Sequence, residues 1–342
     1  MTDKIGPDAD RQSLDLLLRG FQVARMLRLV ADLFVADKIA PDGRIGIQEL
    51  ADASAVLPQP LLRVLRALAA FDIFTVDTEA MIGHTPKSRL LRTDTPNSLH
   101  HAARFWTAPG SWQAWGMLDV AMGGGIPHEA AWNTGRFAYL RAHPQEARLF
   151  DAMMANFPDN RHAAIAGAYD FGSANLIVDI GGGNGAALRQ ILGRFSTARG
   201  LVFDLPDVVA SVPQDMLQDG RLTIQGGSFF DFCPPGADLY LIIRVLHDWP
   251  DDECRRILRN CRAVTGSDTR LLIGEQLLEA DAARGDAAGY LIDVQMMTMF
   301  GTARARTELE FRELLQETGF SLRRVIPTAS AVSILEAIPV ET

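Results

Sequence analysis

Residues 176–192 constrain the fold of this chain more than any other segment. The chain passes from an apolar run, Leu176-Ile177-Val178, into the turn Asp179-Ile180-Gly181-Gly182-Gly183-Asn184-Gly185 and then into a helical pattern. Strand, glycine turn and helix in this order are typical of a nucleotide-binding crossover. The glycines allow positive φ angles and remove side chains, so a ligand can approach the backbone. The segment therefore predicts an α/β domain of the Rossmann type.

The spacing within this turn separates two classes of ligand. It is Asp-x-Gly-x-Gly-x-Gly, and the last glycine of the dinucleotide pattern Gly-x-Gly-x-x-Gly would fall at Ala186. The carboxylate of Asp179 would repel a pyrophosphate, but it could attract an ammonium or sulfonium group. The turn therefore favours a cationic nucleoside such as S-adenosylmethionine over NAD.

A second carboxylate supports a nucleoside site. The next strand pattern, Leu201-Val202-Phe203-Asp204-Leu205, ends in an acid 19 residues after Gly185. An acid at the end of the second strand is where a ribose diol is held in such folds. Asp204 is therefore a candidate ligand of the ribose.

Length, composition and charge exclude several functions. The 342 residues suffice for two domains, and 48% hydrophobic with 22% charged residues is ordinary for a globular protein. A net charge of −9 argues against a nucleic-acid partner, which needs a basic surface. No apolar run approaches the roughly 20 residues that span a bilayer, so no membrane partner is expected.

The cysteines and the N-terminal segment indicate a cytoplasmic protein. Cys233, Cys254 and Cys261 form no CxxC pair, so we expect packing thiols and no metal site. Residues 1–10 are polar and show no signal-peptide pattern.

The first part of the chain predicts a mostly helical domain. Ser13 could cap a long helix that runs towards Ala36. A short helix over 47–51, a second helix over 60–70 and a hairpin of 74–76 with 81–84 follow, which is a winged-helix pattern. Residues 98–168 also have a mostly helical pattern.

From residue 176 onward the pattern alternates between strands and helices, which predicts a parallel sheet. A final antiparallel pair is expected at 322–326 and 332–337. We divide the chain into a winged-helix-like domain (1–100), a helical pocket segment (101–169) and a Rossmann-like domain (170–342). The parallel strands that precede the antiparallel pair are predicted at 176–180, 201–205, 222–225, 238–245 and 270–274.

His247 is the candidate general base. It follows the fourth predicted strand, at the sheet edge where ligands of open α/β sheets bind. An imidazole has a reference pKa near 6.5, so it can take a proton near neutrality. Glu275 follows the fifth strand and would hold the other ring nitrogen if the two strands are neighbours. Each could instead be an ordinary structural residue.

An apolar helix pattern over 291–300 contains one acid, Asp293. Met296, Met297 and Phe300 share this helix at helical spacing. Such residues either form core or grip a flat aromatic ring.

Four motifs together resemble a known family. DIGGGNG, LVFDLP, GGSFF and IIRVLHDWPDDE occur in this order and at suitable separations. The chain resembles the small-molecule O-methyltransferases of the plant caffeate and flavonoid type, and especially bacterial members of antibiotic and phenazine pathways. The resemblance implies a Rossmann-like methyltransferase domain, an N-terminal domain that forms a homodimer, and a small aromatic hydroxylated substrate.

The resemblance also implies roles for individual residues. Gly181 and Gly183 would lie under the methionine part of S-adenosylmethionine, beside Asp179. His247 would be the general base and Glu275 its partner. Asp293 matches a position that can face the acceptor substrate, and Met296, Met297 and Phe300 on the same helix are further candidates to contact it. The remaining cofactor positions would be Asp204 at the ribose, Leu205, Ser228 and Phe229 at the adenine, and Arg244 near the cofactor.

Two positions depart from the family pattern. Ser228 stands where the family usually has an aspartate, so adenine would be bound without that charge. The family's Glu-Arg-Thr appears as Ala305-Arg306-Thr307, which removes a second acid expected near the base.

Three other functions remain open at this point. A relative can bind S-adenosylmethionine yet perform non-methylating chemistry such as hydroxylation. A winged helix can belong to a DNA-binding regulator, although the second helix offers only Arg63 and Arg66. A nicotinamide dehydrogenase is disfavoured by Ala186 at the last glycine position.

Overall fold

The computed structural model describes residues 7–156, 160–210 and 212–340. The first six residues of the polar N-terminal segment lie outside this part of the chain. Contacts divide the chain into two units, Met1–Pro158 and Asp159–Thr342. In the described part of the chain, every helix is too short or too polar to cross a membrane.

The first unit is mostly helical and carries one small sheet. Its strands β1 (Arg44–Gly46), β2 (Phe74–Val76) and β3 (Met81–His84) pair in the antiparallel order β1-β3-β2. Its helices are α1 (Pro7–Leu18), α2 (Gly20–Asp32), α3 (Val35–Lys38), α4 (Ile47–Ala53), α5 (Pro58–Ala69), α6 (Pro86–Arg89), α7 (His100–Phe105), α8 (Pro109–Trp115), α9 (Pro127–Trp132), α10 (Arg136–Ala142) and α11 (Pro144–Asn156), with a 3-10 helix at Leu118–Gly123.

The predicted winged-helix arrangement is present in α4, α5 and the β2–β3 hairpin. Helix α5 begins at Pro58, where the missing N–H costs no helical hydrogen bond. Its leucines at 61, 62, 65 and 68 recur at helical spacing and are buried. This buried face packs with Phe74 and Ile82 of the hairpin, so the hydrophobic pattern alone fixes how the helix and the sheet meet.

The single long helix predicted from Ser13 towards Ala36 is not formed. The chain breaks at Arg19 and again near Phe34, whose φ of 52° is left-handed, and it forms α1, α2 and α3 instead. Ser13 lies inside α1, so it caps no helix. The break before Gly20 separates two environments: Val30 and Ala31 of α2 are buried, whereas the leucines of α1 are exposed.

The second unit contains the predicted α/β sheet. Its strands are β4 (Leu176–Ile180), β5 (Arg199–Asp204), β6 (Leu222–Gly226), β7 (Leu239–Ile243), β8 (Arg270–Glu275), β9 (Leu277–Leu278), β10 (Arg306–Thr307), β11 (Phe320–Pro327) and β12 (Ser333–Pro339). Its helices are α12 (Arg161–Ala168), α13 (Ala186–Arg194), α14 (Pro206–Val209), α15 (Asp251–Ala263), α16 (Ala287–Phe300) and α17 (Glu308–Gln316), with 3-10 helices at Gln214–Leu217 and Leu246–Asp248.

The seven-stranded sheet has the order β11-β12-β8-β7-β4-β5-β6. Strands β4 to β8 of this sheet are parallel, and β11 and β12 close it as the predicted antiparallel pair. Each strand predicted for this sheet lies within two residues of its expected bounds. The chain order reverses around β4, which pairs with both β5 and β7. Ligands of open α/β sheets bind at such a switch point, beyond the carboxyl ends of the strands.

Helices cover both faces of this sheet. Val178 and Ile180 of β4 belong to a core that includes residues of α15 and α17, whereas Ile177 packs with residues of α12 and α13. Alternate side chains of one strand therefore enter opposite cores. Because the strands are buried on both faces, the carboxyl ends of β4, β5, β7 and β8 are held at one rigid edge.

Candidate active site

The glycine turn after β4 adopts the left-handed conformations that its sequence predicts. The φ angles of Gly181, Gly183 and Gly185 are +69°, +58° and +79°. A Cβ on Gly181 would lie 2.7 Å from Cγ2 of Val245, whereas a Cβ on Gly183 would meet no described atom within 4 Å. The backbone at Gly183 is therefore open to a ligand, and Gly181 is packed against the end of β7.

Asp204, at the end of β5, holds the glycine turn in place. Its Oδ2 accepts the N–H of Gly183 at 3.0 Å, and its Oδ1 accepts the N–H of Leu205 at 2.7 Å. The next side chain, Leu205, is 52% exposed, which is unusual for leucine beside a sheet core. The structure thus places a carboxylate and an exposed apolar side chain together beside the turn.

Asp179 is a buried acid at the end of β4, with 2% of its surface exposed. Burial, with a smaller contribution from the charge of Asp204, raises the pKa of Asp179 to about 7. A cation placed nearby would favour its charged form. This part of the site therefore suits a positively charged ligand.

Ser228 and Phe229 follow β6 and lie in a tight turn. The Oγ of Ser228 accepts the N–H of Phe230 at 3.2 Å. The ring of Phe229 comes within 3.5 Å of the position of a Cβ on Gly181, and its centroid is 6.1 Å from that of Trp249. Phe229 therefore connects the glycine turn with the segment that carries His247.

His247 lies in a 3-10 turn that begins at Leu246, three residues after the end of β7, and Glu275 is the last residue of β8. The two strands are neighbours, as the sequence analysis required. Ring Nδ1 of His247 is 3.3 Å from Oε1 of Glu275, and the backbone N–H of His247 donates to the same oxygen at 3.3 Å. The geometry therefore brings the two predicted catalytic side chains together.

Arg244 joins this pair from the end of β7. Its φ of 56° is left-handed, a strained conformation for a residue with a long side chain. Its Nη1 donates to Oε2 of Glu275 at 3.2 Å. Burial alone would raise the pKa of Glu275, but the hydrogen bond from His247 and the charges of His247 and Arg244 lower it below its usual value. Glu275 is therefore held as a carboxylate.

Asp248 is a further acid at the site, which was not among the predicted site residues. Its Oδ1 lies 3.2 Å from ring Nε2 of His247, so carboxylates face both nitrogens of the imidazole. Burial raises the pKa of Asp248. Ala305 removes the second acid of the family pattern, but Asp248 provides another carboxylate beside the imidazole, in addition to Glu275. The signal for Asp248 was its adjacency to His247 in the sequence.

The predicted substrate residues lie along α16. Asp293, Met296, Met297 and Phe300 are all partly buried. Oδ1 of Asp293 accepts the backbone N–H of Ala305 at 2.7 Å, which fixes the chain after the helix. A cavity of about 480 Å³ is lined by Asp293 and Met297 together with Pro250, Asp251 and Arg304. It adjoins the segment that follows His247.

Comparison with protein families assigns both parts of the chain. Residues 115–321 match an O-methyltransferase domain, and residues 16–94 match an O-methyltransferase dimerisation domain. The first match covers the parallel strands β4 to β8 and the helices before them, and the second covers the winged-helix region.

Individual relatives agree with the family matches. The chain is 35% identical over 95% of its length to a phenazine O-methyltransferase of Lysobacter antibioticus, of which it covers 95%. It is 34% identical over 93% of its length to a 3-amino-4-hydroxybenzoate 4-O-methyltransferase of Streptomyces cremeus, of which it covers 87%.

A solved structure identifies the cofactor of such a relative. The O-methyltransferase of neocarzinostatin biosynthesis was crystallised with S-adenosylmethionine and 2-hydroxy-5-methyl naphthoic acid. It is 30% identical to this chain, with a TM-score of 0.71 over 93% of this chain and 96% of its own. This chain belongs to the S-adenosylmethionine-dependent O-methyltransferase family.

Proposed function

We propose that this enzyme transfers a methyl group from S-adenosylmethionine to a hydroxyl of an aromatic secondary metabolite of the phenazine, polyketide or naphthoate type. The observation that carries the proposal is the position of His247. It follows β7, with Glu275 at its Nδ1, and lies two residues after Val245, which packs against the glycine turn. A base and a nucleoside site therefore share one edge of the sheet.

The residues at this edge fit the cofactor. We propose that Gly181 and Gly183 lie under its methionine part and that Asp179 faces its positive charge. Asp204 would hold the ribose, and exposed Leu205 would contact the adenine. Ser228, Phe229 and Arg244 would complete the site. Open space at Gly183 and the raised pKa of Asp179 support this assignment.

When bound, S-adenosylmethionine supplies an electrophilic methyl group on a sulfonium. The protein must then align the acceptor hydroxyl and take its proton. We propose that Nε2 of His247 takes this proton, because Nδ1 faces the buried Glu275 and the acceptor hydroxyl can replace the half-exposed Asp248 at Nε2. Glu275 and Asp248 would then stabilise the imidazolium from its two sides. General-base catalysis of this kind contributes roughly a hundred to ten-thousand-fold.

We propose that the acceptor lies against α16. Asp293 and Met297 line the cavity beside the His247 segment, and Met296 and Phe300 lie on the same helix. Thioether and aromatic side chains suit a flat aromatic ring. The two relatives and the naphthoic acid complex described above act on, or hold, aromatic compounds.

We propose that the enzyme is a homodimer formed through residues 1–100. Leu14, Leu17 and Leu18 of α1 and Phe21 of α2 are 56–74% exposed in the single chain. An apolar helix face of this kind marks a protein interface. The match to a dimerisation domain at residues 16–94 makes a second copy of the chain the expected partner. We place the enzyme in the cytoplasm, consistent with three free and buried cysteines.

The test is a direct assay with S-adenosylmethionine carrying a labelled methyl group. The acceptors are a hydroxyphenazine, 3-amino-4-hydroxybenzoate and 2-hydroxy-5-methyl naphthoic acid. We expect a labelled methyl ether and an equal amount of S-adenosylhomocysteine with at least one of them. S-adenosylmethionine binding without transfer to any of them would contradict the proposed acceptor class. Oxygen uptake without S-adenosylhomocysteine would indicate the non-methylating chemistry considered from the sequence.

A further inference from the structure

Arg306 is the one arginine of the second unit whose side chain the structure describes as almost completely buried, with 1% of its surface exposed. It lies on β10, which pairs in parallel with β9, opposite Leu277. Strand β9 follows β8 and Glu275 after a single residue. The same stretch of backbone therefore positions both Glu275 and Arg306.

The guanidinium of Arg306 binds both ends of the His247 turn. Its Nη1 donates to the carbonyl of Leu246 at 2.8 Å, and its Nη2 donates to the carbonyl of Trp249 at 2.8 Å. Leu246 and Trp249 flank His247 and Asp248 directly. Two donors of one rigid side chain thus fix the backbone on either side of the imidazole.

The charge of Arg306 is balanced by Asp251, the first residue of α15. Nε and Nη2 of Arg306 donate to Oδ1 of Asp251 at 3.0 and 2.7 Å. The contact fixes the turn relative to α15. Only a planar fork with several N–H groups can make these four contacts together, so lysine is a poor substitute.

We propose that Arg306 is a positioning residue for catalysis: it holds the His247 turn from its carbonyl side while Glu275 holds it from its N–H side. The proposal rests on the proposed role of His247 as the base. Without Arg306, the imidazole could still accept a proton, but it would no longer be held in position beside the acceptor hydroxyl. A displacement of about 1 Å at a catalytic group can cost on the order of a hundredfold in rate.

A purely structural role would predict a different outcome, and the chain contains a matched control for it. Arg262, which lies on α15 as Asp251 does, donates to the carbonyls of Gly319 and Val340 at 2.9 and 2.7 Å. It makes the same type of contact at a place remote in sequence from the His247 turn. Arg262→Met therefore measures what losing such hydrogen bonds to backbone carbonyls does to stability alone.

The experiment compares the full-length Arg306→Met, Arg306→Lys and Arg262→Met variants with the wild type. Hydrogen exchange of peptides covering residues 244–252 reports the turn without any acceptor. Steady-state kinetics use the panel compound that the wild type methylates fastest, and calorimetry measures S-adenosylmethionine binding.

For Arg306→Met we expect faster exchange at residues 244–252 and a kcat lowered about a hundredfold, with the S-adenosylmethionine Kd within about threefold of wild type. Arg306→Lys should fold and recover part of kcat. Arg262→Met should lower stability and keep the wild-type kcat and the wild-type exchange of this turn.

Either of two results would overturn the proposal: wild-type exchange at 244–252 in both Arg306 variants, or an equal kcat loss in Arg262→Met. Should Arg306→Met fail to fold, Arg306→Lys decides the question by the same two readouts. A failure of the proposed base is seen separately. In that case His247→Ala keeps full activity, while the exchange data still report whether Arg306 holds the turn.

Discussion

Oε1 of Glu275 meets His247 at two points, the backbone N–H and ring Nδ1, each at 3.3 Å. One buried carboxylate thus fixes both where the turn lies and how its ring is rotated. Because Nδ1 faces this oxygen, Nε2 is the nitrogen that can face an acceptor, which would replace its contact with Oδ1 of Asp248. The pairing of β7 with β8 makes this arrangement possible, since it brings the ends of the two strands together.

Glu275→Gln should lower kcat about ten- to a hundredfold while leaving the Kd for S-adenosylmethionine nearly unchanged. The amide keeps the shape but removes the charge that would stabilise the imidazolium. The folded-state pKa of Glu275 is lowered, so its carboxylate contributes stability at neutral pH that is lost as the pH falls below the usual value of 4.5.

Thermal unfolding at several pH values, with steady-state kinetics, checks this expectation. The variant should be less stable than the wild type near pH 7, and the difference should shrink in acid. Glu317→Gln, which removes a half-exposed carboxylate paired with Arg255, is the control: it should leave kcat unchanged and alter the free energy of unfolding by less than about 1 kcal/mol. A wild-type kcat in Glu275→Gln would show that its charge plays no part in the reaction.

Because the pKa of Asp179 is raised, we expect the affinity for the cofactor to depend on pH. This pKa is about 7 in the free protein, and a bound cation would favour the carboxylate, so binding should release a proton below that value. The affinity should therefore rise about tenfold for each pH unit as the pH approaches 7 from below. Calorimetry in buffers of different ionisation enthalpy counts the released protons. A flat affinity with no proton release would refute this assignment.

Asp179→Asn should abolish that pH dependence and weaken binding. It should also change the stability of the free protein in a defined direction. Because the folded pKa is raised, Asp179 contributes stability in acid that is lost as the pH rises through about 7. The variant should therefore have a higher Tm than the wild type near pH 8, by at least about 3 °C. A Tm of Asp179→Asn below that of the wild type at pH 8 would contradict the raised pKa of Asp179.

Gly183→Ala should weaken S-adenosylmethionine binding at least about tenfold with a modest loss of stability. The added methyl group enters the open space beside the turn, and the positive φ of +58° costs about 1–2 kcal/mol. Gly220→Ala is a matched control, because Gly220 has a φ of +68° and its Cβ would also meet no described atom within 4 Å.

Gly220→Ala should lose similar stability and bind the cofactor normally, as calorimetry and thermal unfolding can show. Gly181→Ala should lose more stability than either, because its Cβ would also lie 2.7 Å from Val245. Equal cofactor affinity in Gly183→Ala and Gly220→Ala would remove the glycine turn from the binding site.

Leu17→Glu should convert the proposed homodimer into monomers. Leu17 is 74% exposed on α1, and burying a charge in a dimer interface is strongly unfavourable. Leu309 on α17 is 59% exposed and provides the control variant Leu309→Glu. Light scattering after size-exclusion chromatography measures both masses. A Leu17→Glu variant that stays dimeric would place the interface elsewhere.

Local sequence patterns were sufficient to predict the strands of the sheet and the glycine turn at their carboxyl ends. The strand at 176–180, the glycine turn and the helix after it depend on residues adjacent in sequence, and the structure places them as expected. The pairing of His247 with Glu275 was predicted on one condition, that β7 and β8 are neighbours, and this condition is met.

Other features depended on contacts that a sequence pattern does not contain. The helix predicted from Ser13 was wrong because apolar spacing does not show where the chain turns away from its own core, as it does at Arg19. Arg306 contacts Leu246 across 60 residues of sequence, so this contact was visible only in the fold. Asp248 is adjacent to His247 in sequence, but only the 3-10 turn brings its carboxylate to Nε2 of the imidazole.

The single-turnover rate of methyl transfer in His247→Ala tests the central claim most directly. The enzyme is saturated with S-adenosylmethionine and mixed with the panel acceptor that the wild type methylates fastest. The account predicts a rate at least about a hundredfold below wild type, with an unchanged Kd for S-adenosylmethionine. A wild-type rate in His247→Ala, on folded dimer with normal cofactor affinity, would contradict it.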